Sequence, residues 1–175
     1  MRSPSPVFFH GELYDRVIKG GKNGLEDNSP AFLLLLQEEY IVATINVNLI
    51  SGRSIQQGVA IEGGKEKPLY RTAAGIIELD PSDLKKLGAW KNTNVKVTSE
   101  HGSVVVKATE TTQGPHPGLA FIPMGPWANQ IVNPDTYSTG MPTFKGTPVK
   151  VEVAMNEQVL LGIELVQKTC GVKIG

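Results

Sequence analysis

From Gly114 to Gly146 the chain runs 33 residues through six prolines and five glycines, with only two charged side chains, Asp135 and Lys145. Proline removes a backbone donor and glycine loosens regular structure, so this stretch favours turns and short pieces over long elements. Connections longer than roughly 12 to 15 residues are either functional or disordered, and disordered segments lack the apolar side chains needed to bury anything. Here those side chains are present: Phe121, Met124, Trp127, Ile131, Tyr137, Met141 and Phe144. A nearly uncharged, aromatic arm braced by proline suits a neutral heterocycle or a protein surface better than bulk water.

At 175 residues and 18.9 kDa the chain is long enough for one core with appendages. Lys plus Arg balance Asp plus Glu at 17 each, so no whole-molecule field attracts nucleic acid or an anionic membrane. Cys170 is the only cysteine. That excludes an intrachain disulfide, an iron–sulfur cluster held by this chain alone and a multi-cysteine zinc site. The longest apolar run, Ala31 to Leu36, is far short of the ~20 residues that span a bilayer. The N-terminus shows no basic patch, apolar core and cleavage site in succession, and the single cysteine leads to the expectation of a reducing, cytoplasmic setting.

Residues 1–40 are read as an extension without a predicted element. From Tyr40 a β-branched segment through Ile41, Val42, Thr44, Ile45, Val47, Leu49 and Ile50 predicts a strand ending at Ser51-Gly52-Arg53. A second strand is predicted over Thr72 to Leu79. Asp80 to Gly88 reads as a helix, with Asp80 as cap, Pro81 at the first position, Lys85 and Lys86 in the last turn and Gly88 as the stop. Asn94 to Ser99 and Ser103 to Lys107 flank Glu100-His101-Gly102 as a hairpin, with Gly102 predicted at positive φ. Leu119 to Ile122, Pro148 to Val153 and Leu160 to Val166 complete the predicted strands. Several short strands and one small helix predict a mainly β fold closed into a barrel, because closure removes exposed edges. The barrel domain is assigned to 41–155 and a tail with one strand to 156–175.

Four pieces then carry a family likeness: Leu49-Ile50-Ser51-Gly52-Arg53-Ser54-Ile55-Gln56-Gln57-Gly58, the Asp80 to Gly88 helix, the Val95 to Val106 hairpin and Pro123-Met124-Gly125-Pro126-Trp127-Ala128-Asn129. Together they resemble the D-type subunit family of formylmethanofuran dehydrogenases. More widely they are similar to the dinucleotide-binding domain of molybdenum and tungsten bis-pterin oxidoreductases, whose fold is a double-psi β-barrel. Asn133-Pro134-Asp135, Ser138-Thr139-Gly140-Met141-Pro142 and Phe144-Lys145-Gly146 follow the wider family's order. The likeness spans Asn46 to Val153, and Ser51 stands where the wider family often has Thr, which keeps the hydroxyl.

The resemblance implies a tungsten or molybdenum centre carried by molybdopterin guanine dinucleotide, shared with a larger iron–sulfur catalytic subunit. It implies carbon dioxide reduction to the formyl level, passed to methanofuran in methanogenesis, with this chain as a binding subunit that holds no catalytic or metal-ligating residue. Ser51, Gly52, Arg53 and Ser54 at a strand end then suit phosphate or pterin oxygens. Asn129 offers donor and acceptor to guanine or pterin edges. Asp135 faces guanine donors or simply shapes a turn, and Lys145 reaches phosphate or keeps its loop wet. Trp127 and Phe144 wall a flat ring or fill core. His116, between two prolines, bonds to pterin or substrate oxygen, or is structural. Cys170 lies outside the matched region and is not read as a ligand. Two other readings stand beside this one: a cofactor-free double-psi protein-recognition module, and a self-processing decarboxylase cut at Gly102-Ser103.

Overall fold

The structure is a computed structural model that describes residues 43–172. The extension assigned to 1–40 and the beginning of the first strand at Tyr40 lie outside the described residues. β1 (Thr44–Gly52) is followed by α1 (Ile55–Glu62), α2 (Pro68–Ala74), β2 (Ile76–Leu79) and α3 (Pro81–Leu87). Then come β3 (Asn94–Thr98), β4 (Ser103–Glu110), β5 (Leu119–Pro123), α4 (Pro126–Asn129), β6 (Lys145–Val153) and α5 (Gly162–Cys170). None of these helices is long and apolar enough to cross a membrane.

The six strands close into a barrel in the order β1-β5-β2-β4-β3-β6. β1 runs parallel to β5 and β2 parallel to β4, while the other four pairings are antiparallel. Exchanging β1 with β4, β2 with β5 and β3 with β6 reproduces the same ring and the same directions. Two interlocked three-stranded halves related in this way make the double-psi β-barrel that the resemblance implied. Alternation along the strands fills it: Leu49, Ile77, Leu79, Val95, Val97, Val106, Ile122 and Val151 all point inward and are fully buried.

α3 forms as predicted. Asp80 Oδ1 accepts from the Ser82 N–H at 2.8 Å, and Gly88 closes the helix at φ 67°. Both helix carboxylates then reach the next connection. Asp80 Oδ2 accepts from the His116 N–H at 2.8 Å, and buried Asp83 accepts from the Gly118 N–H at 2.6 Å and from Lys86 Nζ at 2.8 Å. These bonds aim the chain into β5.

Four expectations are corrected. Residues Pro68–Ala74, partly read as strand, are helical: Pro68 opens the first turn and buries Tyr70 and Ala74 one turn apart, and the strand begins only at Ile76. Leu160 to Val166, read as a strand, contains the start of α5, where Glu164 Oε2 accepts from the Leu161 N–H at 2.7 Å and Leu165 packs inward. α1 was not predicted, although Ser54 Oγ accepts from the Gln57 N–H at 3.1 Å to cap it. Gly102 is absent from the residues at positive φ. It is glycine for space, since a Cβ there would collide with the Gln130 carbonyl oxygen.

Candidate functional site

The parallel register of β1 and β5 sets Gly52 opposite Pro123. Arg53-Ser54 and Met124-Gly125 therefore leave the barrel side by side, one leading into α1 and the other into α4. The Gly52 carbonyl accepts from the Met124 N–H at 2.7 Å and ties the two exits together. Gly52 also admits the Phe121 ring, whose edge lies 3.2 Å from where a Cβ would stand.

Above these exits lies a cleft of about 820 Å³. Arg53 and Ser54, from the first exit, line it together with Asn129 and Gln130, from the second. Phe144, Met124 and Ile61 contribute flat or flexible apolar wall. Among the described residues Arg53 and Lys65 line it and no carboxylate does, so its electrostatic character favours an anion. Gln57 and Tyr70 close the floor, with Gln57 Nε2 donating to the Tyr70 hydroxyl at 3.0 Å and also to the Met124 carbonyl. A cleft of this size, mostly apolar with a few convergent polar groups, has the make-up of a ligand site.

Arg53, Ser54, Asn129 and Phe144, singled out from sequence, thus meet in one cleft. Ser54 serves there as the α1 cap. The other assignments separate from it. Ser51 is 5% exposed and its Oγ donates to the Ile122 carbonyl at 2.8 Å, while its N–H donates to the Phe144 carbonyl at 2.8 Å. It braces the barrel wall instead of facing a ligand. Trp127 is 0% exposed, donates from Nε1 to the Leu160 carbonyl at 3.2 Å and packs 6.0 Å from the Tyr70 ring, so it is core. His116 is exposed and anchored through its backbone to Asp80, away from the cleft. Asp135 is exposed in a turn closed by its N–H on Asn133 Oδ1 at 2.9 Å. Lys145 is exposed at the start of β6, opposite Ile50, and does not line the cleft. Cys170 is exposed at the end of α5. Among the described residues no three His, Cys, Asp or Glu side chains are grouped to hold a metal ion.

Gln57, Tyr70 and Lys65 were missed, because the first two stand on helices that were not predicted and Lys65 on the link between them. A signal was present: Ser54 followed three residues later by Gln57 matches the pattern of a capping box and marks a helix start.

Residues 47–148 match the family model of the molydopterin dinucleotide binding domain. The chain belongs to that family. The matched span contains both strand exits and every cleft residue named above. Protein FwdD of Methanocaldococcus jannaschii is 49% identical over 114 residues, which covers 65% of this chain and 86% of that protein. The C-type subunit of the molybdenum-containing formylmethanofuran dehydrogenase 1 of Methanothermobacter thermautotrophicus is 33% identical over 170 residues. That alignment covers 93% of this chain, and the chain spans 41% of that larger protein. Acetylene hydratase from Pelobacter acetylenicus aligns in shape with TM-score 0.48 at 17% identity, over 62% of this chain and 18% of that one.

Proposed function

We propose that this chain is the dinucleotide-holding subunit of a cytoplasmic formylmethanofuran dehydrogenase, and that its cleft cradles part of a molybdopterin guanine dinucleotide carrying tungsten or molybdenum. Family membership and the names of the FwdD and dehydrogenase relatives support the assignment. The single observation that carries the site is the convergence of Arg53 and Asn129 on one cleft walled by Phe144. Arg53 and Lys65 suit pyrophosphate oxygens, Asn129 suits the mixed donor and acceptor edge of guanine or pterin, and Phe144 suits a ring face. When bound, the metallopterin supplies the two-electron chemistry that interconverts carbon dioxide and the formyl level. This chain's residues hold and orient it and exclude water.

A larger catalytic partner would supply the metal-ligating residue and the iron–sulfur cluster and close the open side of the cleft. Ile55 and Val59, four residues apart on α1, are 84% and 66% exposed, an apolar face that a partner would cover.

The test is co-expression with the partner subunits, followed by assay of the purified complex for tungsten, molybdenum and guanine nucleotide released by acid. Arg53→Ala and Asn129→Ala each remove a hydrogen bond of the charged or bidentate kind, worth about 1.5 to 3 kcal/mol, or roughly ten- to hundred-fold in retention. Complexes carrying either change with full metal, full nucleotide and normal activity would refute the site. A cofactor-free recognition module predicts that outcome together with weaker partner binding.

A further inference from the structure

Gln57 leaves one buried atom without a protein partner, its amide oxygen Oε1. The side chain belongs to the cleft wall and the residue is 4% exposed. The polarity of the amide is set by its neighbours. The Met124 carbonyl can only accept, so the nitrogen must face it, and the Tyr70 hydroxyl takes the second donor bond. Turning the amide over would set two acceptors against each other. What remains, in a residue of the cleft wall, is therefore a buried acceptor. Leaving such an atom unpaired is costly, and a ligand donor would recover that cost.

Gly125 protects the arrangement. Its φ of 163° is extended backbone open to any residue, yet a Cβ there would stand 3.2 Å from Tyr70 Oη and 3.7 Å from Gln57 Nε2. Glycine keeps the floor open where the amide and hydroxyl meet.

We propose that Gln57 is a specificity-determining residue whose Oε1 accepts from the N–H edge of a 2-amino-4-oxo heterocycle. Pterin and guanine share that edge, with a lactam N–H beside an amine, whereas adenine presents an unprotonated ring nitrogen in place of the lactam N–H. Oε1 is buried, so the ring reaches it only when cleft-lining side chains shift, and Met124, with three rotatable bonds, is the one most able to do so. The inference rests on the cleft holding the dinucleotide.

The experiment compares co-expressed complexes of wild type, Gln57→Glu and Gln57→Met, with the thermal midpoint of each isolated full chain measured alongside. Met loses both donor bonds and the acceptor, whereas Glu, buried against the Met124 carbonyl, is held protonated, donates its O–H there and keeps a carbonyl oxygen as the acceptor. The expected result is guanine nucleotide and pterin content near wild type for Glu and at least ten-fold lower for Met, with similar midpoints for the two variants. Repeating the comparison in cells that make the pterin without its nucleotide identifies the ring. The gap between variants persists if Gln57 reads pterin and closes if it reads guanine. Full content in the Gln57→Met complex, or equal loss in both variants tracking equal loss of midpoint, overturns the role of Gln57 and leaves the cleft reading intact. A wild-type complex without guanine nucleotide or pterin overturns both.

Discussion

Gly102 and Gly58 answer a methyl group in opposite ways. At Gly102 the added carbon meets the Gln130 carbonyl, and the β3–β4 connection cannot withdraw without disturbing Ser99, whose Oγ donates to the Ile131 carbonyl at 2.7 Å. Gly102→Ala should lower stability by about 1 to 3 kcal/mol, the usual range for overpacking. At Gly58, inside α1, nothing lies within 4 Å of the new carbon. Gly58→Ala should raise stability by about 0.4 to 1 kcal/mol by restricting the unfolded chain. Urea midpoints at unchanged slope check both. Trp127 makes a different point about single residues. An aromatic in a Pro/Gly-rich arm reads equally well as ligand wall or core, and its neighbours decide between them. Here Tyr70 and α5, neither anticipated as helical, close over the ring.

Elements carrying their own punctuation were legible in the sequence. α3 announced itself through Asp80, Pro81 and Gly88, and the β3–β4 pair through valine alternation. α2 and α5 were not, because Thr72 to Leu79 and Leu160 to Val166 carry apolar and β-branched residues that suit a strand as well as a helix. Burial of Tyr70, Ala74 and Leu165 against other parts of the chain settled them as helices. The cleft was half legible for the same reason: Arg53 and Phe144 come from loops flanking recognised strands and Asn129 from the single turn of helix after one, whereas Gln57 and Tyr70 come from overlooked helices. α3 also carries a pH signature. The Ser82 hydroxyl, the Ser82 N–H and, more weakly, the His116 N–H hold the Asp80 carboxyl below its ordinary value of 3.8. Its stabilising contribution is complete above that value and disappears as pH falls through the depressed one. Glu78, half-buried on β2, is pushed the other way by desolvation, above its ordinary 4.5. Its ionisation weakens the fold as pH rises through the raised value. Glu78→Gln should therefore stabilise at neutral pH and not in acid, while Asp80→Asn should destabilise at neutral pH and become harmless in acid. Denaturation midpoints measured across pH distinguish the two signs.

Over the whole molecule the ring alternates strictly between halves: β1, β2 and β3 each lie between two strands drawn from β4, β5 and β6. Only β3 and β4 are both adjacent in sequence and paired. The remaining ladders join distant segments, as Thr44 joins Glu152, and closing such loops is slow. Refolding should accordingly take milliseconds to seconds, followed through the emission of Trp127, which is buried, against that of exposed Trp90. A microsecond phase carrying the full Trp127 change would contradict this. The alternation has a further effect at the ribosome. Of the six barrel strands, a nascent chain that has emerged only as far as Thr98 owns three, none of which is a neighbour of another, so no ladder of the barrel forms until translation delivers the second half.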